Sequence, residues 1–215
     1  MNIFISGGCK NGKSYYAQKR AKEQAELLQK PLYYIATMIP HDEEDHARIR
    51  RHLAEREGWG FETLEQGMGL TALLKRDDVD LDGVFLLDSV TAIMENEMFR
   101  RVEAANTDDE AEVLGEMDRE STAEGTGEDS GLKGKANIEI VYDPTAAERV
   151  KNDMVTFAKA TGNTVFVSDG IYGDMGEYSQ STEDYRRALA AADLAIAKAC
   201  DQVVEIAYGT EEIWK

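Results

Sequence analysis

The stretch that decides the fold is residues 2–14, NIFISGGCKNGKS. Its first five residues are mostly apolar and predict a strand, and the other eight fit the pattern G-x-x-x-x-G-K-S at the start of a helix. In such a loop the backbone N–H groups and the helix N-terminus attract phosphate, the lysine reaches the terminal phosphates and the serine hydroxyl can bind Mg²⁺. A chance glycine-rich turn is the alternative. We predict a nucleotide site formed by Gly7, Gly8, Cys9, Lys10, Asn11, Gly12, Lys13 and Ser14.

Short apolar or β-branched segments alternate with longer amphipathic segments along most of the chain. This alternation predicts an α/β, P-loop NTPase-like fold with a mostly parallel sheet and helices on both faces. Ligands bind such sheets beyond the carboxyl ends of the strands. Strands are predicted at residues 2–6, 32–36, 61–64, 83–87, 164–168 and 202–207. Helices are predicted at residues 13–29, 42–56, 90–101, 145–161 and 182–199.

The chain of 215 residues contains 42 acidic and 24 basic side chains, which gives a formal net charge of -18. Its length fits a single P-loop α/β domain over residues 1–215. Because the acidic excess repels phosphate backbones, we expect no nucleic-acid partner. Eleven carboxylates and one arginine lie within residues 103–130, and we predict a mobile acidic insertion at about residues 105–134. A regulatory or partner-binding segment is the alternative interpretation of that insertion.

Neither a membrane span nor a secretion signal is evident in the sequence. No run of 18 apolar residues is present, and the first residues run directly into the glycine-rich loop. The cysteines, Cys9 and Cys200, are far apart and form no metal-binding pattern. We therefore expect a cytoplasmic protein in a reducing compartment, without membrane insertion.

A second candidate functional residue is Asp88, which ends the apolar segment 84–88, VFLLD. In P-loop proteins a carboxylate at such a strand end holds Mg²⁺ directly or through water. The following Ser89 could equally make this region a helix cap. Together with the P-loop, the metal-linked role is favoured, so Ser14 and Asp88 are the predicted Mg²⁺ ligands.

A third candidate is His52, in the second predicted helix. Arg48 and Arg56 lie four residues to either side, so all three would share one helix face. Nearby positive charge disfavours protonation of the imidazole and leaves a nucleophilic nitrogen, while the arginines can accept a phosphate. The alternative is a solvated helix face. His41 and His46 are other possible nucleophiles, and His46 is expected to face solvent.

With these elements the chain resembles the bifunctional adenosylcobinamide kinase / adenosylcobinamide-phosphate guanylyltransferase family of cobalamin biosynthesis. The P-loop is common to many NTPases, but the segment 34–37, YIAT, and the spacing Arg48-Ile49-x-x-His52-x-x-x-Arg56 are much more specific. The resemblance is carried mainly by the N-terminal half of the chain. Further matches are Trp59, Thr63, Glu65, the segment 87–91 and Asn96.

The resemblance implies two reactions at one nucleotide site. In the first, the hydroxyl of adenosylcobinamide takes the γ-phosphoryl group of ATP or GTP. In the second, His52 attacks the α-phosphorus of GTP, expels pyrophosphate and carries GMP to adenosylcobinamide phosphate, while Lys13 and Mg²⁺ stabilise phosphate charge. A homo-oligomer is also implied, in the form of a trimer whose neighbouring subunits help to form the active site.

The resemblance further assigns nucleotide contacts to Ile35, Ala36, Thr37, Arg56, Glu65 and Asp88. From the residues alone, Thr37 could instead cap a loop and Glu65 could be a solvated carboxylate.

After the strand 164–168 the chain departs from the family. An Asn-Glu pair is missing there, and Asp169 is the residue that could replace one carboxylate. Because of this departure, the resemblance supports corrinoid binding and the kinase reaction less than it supports the GMP transfer. Two other functions therefore stay open: a P-loop kinase of another small alcohol, and a nucleotide-binding regulatory protein that uses the acidic insertion to bind a partner.

Overall fold

A computed structural model describes residues 1–103, 138–173 and 175–215, and the insertion predicted at residues 105–134 lies outside them. The strands of this part are β1 (Ile3–Gly7), β2 (Leu32–Ala36), β3 (Glu62–Glu65), β4 (Val84–Asp88), β5 (Phe99–Glu103), β6 (Ile138–Tyr142), β7 (Thr164–Val167), β8 (Gln202–Ala207) and β9 (Thr210–Ile213). The helices are α1 (Lys13–Leu28), α2 (Glu43–Glu55), α3 (Val90–Met98), α4 (Ala146–Thr161) and α5 (Gln180–Ala199), with a short 3₁₀ helix at Leu70–Lys75.

Seven strands form one sheet in the order β3-β2-β4-β7-β1-β8-β9. The neighbouring strands are parallel except β9, which pairs antiparallel with β8. The strand β7 thus lies between β1, which leads into the P-loop, and β4, which ends at Asp88. Because parallel strands end at the same edge, the carboxyl ends of β4, β7 and β1 stand side by side.

Alternate side chains of each strand enter two separate cores, one on each face of the sheet. Ile3 and Ile5 of β1 pack with Ala17 and Ala21 of α1 on one face. Phe4 points to the other face, whose core includes residues of α3, α4 and α5. Helices therefore cover both faces, and the fold class predicted from the sequence is confirmed.

A two-stranded ribbon outside the main sheet was not predicted from the sequence. The helix predicted at residues 90–101 ends at Met98, and the chain continues as β5. That strand pairs antiparallel with β6, from Phe99 opposite Tyr142 to Glu103 opposite Ile138, and the first pair stacks its rings 5.4 Å apart. The strand β9 and the 3₁₀ helix were also missed. Within the described residues, no helix is long and apolar enough to span a bilayer.

Candidate nucleotide site

The P-loop connects β1 to α1 at the carboxyl edge of the sheet. Gly12 precedes the helix with φ 94°, a conformation that favours glycine, and α1 begins at Lys13. The Lys13 side chain is only 6% exposed. Its Nζ donates to the Gly8 carbonyl at 2.7 Å and pairs with Asp169 Oδ1 at 2.8 Å. The amine of the motif is therefore held over the loop by two oxygens from different segments.

The start of the loop packs directly on β8. Gly7 has φ 149°, and a β-carbon there would collide with the Ile206 carbonyl oxygen and with the Asn11 side chain. The Asn11 side-chain amide donates to the same Ile206 carbonyl, and its oxygen accepts from the Lys13 backbone N–H at 3.3 Å. The loop is thus fastened to the sheet before any ligand binds.

A cleft of about 520 Å³ opens beside the P-loop, between α2 and the ends of β2, β3 and β4. The predicted residues Ser14, Ala36, Thr37, His52, Arg56, Glu65 and Asp88 all line it. Its other lining residues include Tyr34, Met38, Ile39, Pro40, His46, Ile49, Leu53, Thr63, Gln66 and Gly67. One cavity therefore brings together candidates that the sequence separates by more than seventy residues.

Asp88 lies half-buried at the base of this cleft. Burial raises the pKa of its carboxyl above the ordinary value, and the charge of Asp169 acts in the same direction. The Ser14 hydroxyl and His52 lower this pKa, so both lie close enough to Asp88 to stabilise its charge. The Tyr34 hydroxyl donates a long hydrogen bond to Asp88 Oδ2 at 3.4 Å. A cation bound between Ser14 and Asp88 would favour the ionised carboxylate.

Arg56 forms a cationic wall of the cleft. The helix α2 ends at Glu55, Arg56 is its C-terminal cap, and Arg56 is 93% buried. Its guanidinium lies over the ring of Tyr34. Burial raises the pKa of Tyr34, so its hydroxyl stays protonated and can donate to Asp88. The Tyr34 side chain thus contacts Arg56 through its ring and Asp88 through its hydroxyl.

The helix α2 presents His52 to the cleft. Asp42 caps the helix by accepting from the Asp45 N–H at 2.8 Å. Arg48 does not line the cleft, because its guanidinium turns outward to Glu44, 3.9 Å away. Of the two arginines expected beside His52, only Arg56 is among the residues that line the cleft.

His46 was expected to face solvent, and the structure agrees with that expectation. Its side chain is exposed, yet it lines the cleft together with His52. A helix that covers an open cleft can present residues six positions apart to the same space, because the cleft is broad. Both imidazoles therefore border the space that a ligand in the cleft would occupy.

Thr37 and Asn96 form hydrogen bonds that hold the loops at the rim of the cleft together. The Thr37 hydroxyl is fully buried and accepts from the Ser89 N–H at 2.7 Å, so it has the loop-capping role that the sequence left open. Asn96 donates to the Thr37 carbonyl at 2.8 Å and to the Gly67 carbonyl at 2.9 Å. One amide group on α3 therefore joins the loops after β2 and β3.

Other predicted residues lie outside the cleft. Ile35 is fully buried in the core and is not among the residues that line the cleft. Cys9 and Lys10 are exposed on the P-loop. Trp59 packs edge-to-face on Tyr15, with ring centroids 5.9 Å apart, and does not line the cleft.

Two carboxyl groups near the end of β7 were not among the predicted site residues. Asp169 lies two residues after the end of β7 and pairs with Lys13, and the sequence had indicated it only as a possible replacement for a missing family carboxylate. Asp193 on α5 is 3% exposed and accepts from the hydroxyls of Ser168 and Tyr172 at 3.0 and 3.1 Å. Burial raises the pKa of Asp193 to about 7. A lone aspartate in a helix gave no sequence signal for this contact.

Similarity to known proteins agrees with this geometry. A family described as cobinamide kinase / cobinamide phosphate guanyltransferase matches residues 3–212. The bifunctional adenosylcobalamin biosynthesis protein CobU of Escherichia coli (strain K12) is 34% identical over 100 residues, which are 46% of this chain and 51% of that protein. The chain thus matches about half the length of this curated relative.

Two solved structures are similar to this chain at low scores. The flagellar accessory protein FlaH from Methanocaldococcus jannaschii has a TM-score of 0.43 and 12% identity, over 100% of this chain and 77% of that chain. The ATPase domain of G40P has a TM-score of 0.42 and 10% identity, over 95% and 68%. The match that spans nearly the whole chain decides the assignment: this chain belongs to the cobinamide kinase / cobinamide phosphate guanyltransferase family.

Proposed function

We propose that this protein acts in adenosylcobalamin biosynthesis, phosphorylating the hydroxyl of adenosylcobinamide and then transferring GMP from GTP to the phosphorylated product. The observation that carries the proposal is that His52 lines the same cleft as Ser14 and Asp88. A nucleotide whose terminal phosphates lie in the P-loop would extend into this cleft. One bound nucleotide could then offer its α-phosphorus to the imidazole.

In the GMP transfer, His52 is the proposed nucleophile. A bond forms between its ring nitrogen and the α-phosphorus, and the bond from that phosphorus to the β-phosphate oxygen breaks, so that pyrophosphate leaves. A phosphate oxygen of the acceptor then attacks the same phosphorus and releases the imidazole. Arg56 supports these steps because its buried guanidinium faces the charge that develops on phosphate oxygens.

The proposed cofactor is Mg²⁺, held by Ser14 and Asp88. Both residues line the cleft and supply the hard oxygen ligands that this ion prefers. Within the part of the chain that the structure describes, no group of three or more His, Cys, Asp or Glu side chains is arranged around a metal. That suits Mg²⁺, which commonly takes one or two protein ligands plus substrate phosphates and water. Bound there, the ion would neutralise phosphate charge during transfer.

Labelling with α-³²P-GTP tests the guanylyl transfer. We expect a covalent label that is labile to acid and stable to alkali, as a phosphoramidate is, and that disappears in His52→Ala. The matched control is His41→Ala, which removes a histidine outside the cleft and should keep the label. No label on the wild-type protein, or a full label on His52→Ala, would overturn the assignment; a label lost only in His46→Ala would move the nucleophile to His46.

A second experiment separates the two reactions. Lys13→Ala should lose both, because both depend on phosphate held in the P-loop. His52→Ala should retain transfer of the γ-phosphoryl group from ATP or GTP to adenosylcobinamide, measured as phosphorylated product. Loss of both reactions in His52→Ala would contradict the separate roles. The trimer and the cytoplasmic location belong to the same proposal, and sedimentation of the full chain tests the trimer.

A further inference from the structure

The end of β7 carries a carboxylate next to the phosphate-binding lysine. Asp169 lies two residues after the end of this strand, and β7 lies between the P-loop strand and the strand that ends at Asp88. The Asp169 side chain remains 32% exposed at the edge of the sheet, with one oxygen 2.8 Å from Lys13 Nζ. A solvent-accessible carboxylate therefore lies where the terminal phosphates of a nucleotide would be bound.

The backbone that carries Asp169 is fixed by hydrogen bonds on three sides. The Asp169 N–H donates to the Thr91 hydroxyl at 2.9 Å, and the Gly170 N–H donates to the Gly7 carbonyl at 3.0 Å. Behind the loop, the Ser168 hydroxyl donates to the buried Asp193. A carboxylate on so constrained a loop is pre-positioned, as groups that take part in proton transfer need to be.

Lys13 can hold Asp169 and a phosphate at the same time. An ammonium group has three donors, and the Gly8 carbonyl and Asp169 use two of them. The third is available to a phosphate oxygen. Asp169 would then stay beside the terminal phosphate group when a nucleotide binds, without losing its ion pair.

Different reactive side chains lie on the two sides of the P-loop. His52 lines the cleft on the side of β2 and β4, whereas Asp169 is not among the residues that line that cleft. An acceptor hydroxyl that approaches from the β7 side would meet Asp169 and not the imidazole. The two proposed reactions would therefore use separate groups around one nucleotide.

Resting on the proposed function, we infer that Asp169 is a catalytic residue of the kinase reaction, the base for the acceptor hydroxyl. The hydroxyl proton passes to an Asp169 oxygen while the hydroxyl oxygen forms a bond to the γ-phosphorus. The bond between that phosphorus and the bridging oxygen breaks, and its electron pair leaves with the nucleoside diphosphate. Carboxylates have this role toward substrate hydroxyls in other kinases.

The test compares Asp169→Asn with the wild-type full chain in two assays. Asparagine keeps the size and hydrogen-bonding capacity but is not a base, so kcat for phosphorylation of adenosylcobinamide should fall by about 100-fold or more. The KM for the nucleotide should change by less than about threefold. Labelling of His52 by α-³²P-GTP should stay within about threefold of wild type, because that reaction does not use Asp169.

The matched control is Asp82→Asn, which removes one carboxylate at a position 83% exposed and outside the site. It should leave both assays unchanged. Phosphorylation by Asp169→Asn within about threefold of wild type overturns the inference, as does an equal loss of phosphorylation and labelling, which would show that Asp169 only supports the P-loop. A wild-type protein that is labelled but never phosphorylates the acceptor overturns it too, and leaves the GMP transfer standing. Phosphorylation without labelling contradicts the role of His52 and leaves Asp169 to be judged on kcat alone.

Discussion

The central carbon of the Arg56 guanidinium lies 3.5 Å from the centroid of the Tyr34 ring. This stacking places a permanent positive charge in the wall of the cleft and orients it, because both groups are buried. It also connects α2, which carries His52, to the strand β2. The contact therefore links the end of α2 to the strand β2 of the sheet.

We expect Arg56→Lys to weaken GTP binding by about tenfold, or ~1.4 kcal/mol. Lysine keeps the charge but cannot stack as a plane on Tyr34 or donate two parallel hydrogen bonds to a phosphate. Isothermal titration calorimetry measures the change in Kd. The control is Arg51→Lys, an exposed residue of the same helix, and an equal effect of both changes would contradict the role of the stacking.

Gly7→Ala should destabilise the protein by about 2 kcal/mol or more. The added β-carbon would meet the backbone carbonyl of Ile206, which cannot move without disturbing β8, and φ at this position is strained for alanine. Gly8→Ala provides the comparison within the same loop, because a β-carbon there would meet nothing within 4 Å. Urea denaturation gives both free energies of unfolding, and similar values would refute the close packing on β8.

Asn96→Asp should cost about 1–3 kcal/mol of stability and loosen the rim of the cleft. The carboxylate cannot donate, so it would face the carbonyls of Thr37 and Gly67 without a hydrogen bond. Asn152→Asp makes the same chemical change on an exposed part of α4 and should be nearly neutral. Denaturation curves and the Kd for GTP measure the two effects; if the Asn96 and Asn152 variants behave alike, the amide does not hold the loops together.

The stability difference between the wild-type protein and Asp193→Asn should depend on pH. Because burial raises the pKa of Asp193 to about 7, the folded state retains a proton that the unfolded state releases near pH 4. The stabilisation is complete below pH 4 and is lost as the pH rises toward 7. From pH 5 to pH 8 the wild type should lose ~2–3 kcal/mol relative to the variant, measured by urea denaturation at both values. A constant difference would contradict the raised pKa.

Local chemistry explains which features the sequence could predict. The spacing of Gly12 and Lys13 after an apolar strand predicts a loop and a helix start within a few residues. An apolar segment that ends in a carboxylate likewise predicts that Asp88 lies at the end of a strand, as it does in β4. The edge of the sheet where these residues meet follows from the parallel topology. The predicted roles of His52, Thr37 and Glu65 in binding or chemistry stay predictions.

Features that depend on distant partners could not be predicted. Residue spacing put Arg48 and Arg56 on one helix face, but it could not show that α2 would end between them. Residues 99–103 suit a helix end as well as a strand, and their pairing with β6 depends on residues far along the chain. The ion pair of Lys13 with Asp169 likewise joins residues that are far apart in the sequence.

The ribbon of β5 and β6 has a consequence for how this chain could change over evolutionary time. Its last pair sets Glu103 directly opposite Ile138, so the chain leaves and returns to the folded body at adjacent points. Closing a longer connection between two such points costs little additional entropy, about 0.6 kcal/mol for each doubling of length. Sequence can therefore be gained or lost between these residues while the P-loop, α2 and the sheet edge keep their positions. The ribbon is a place where a segment with a new property could be added without rebuilding the candidate nucleotide site.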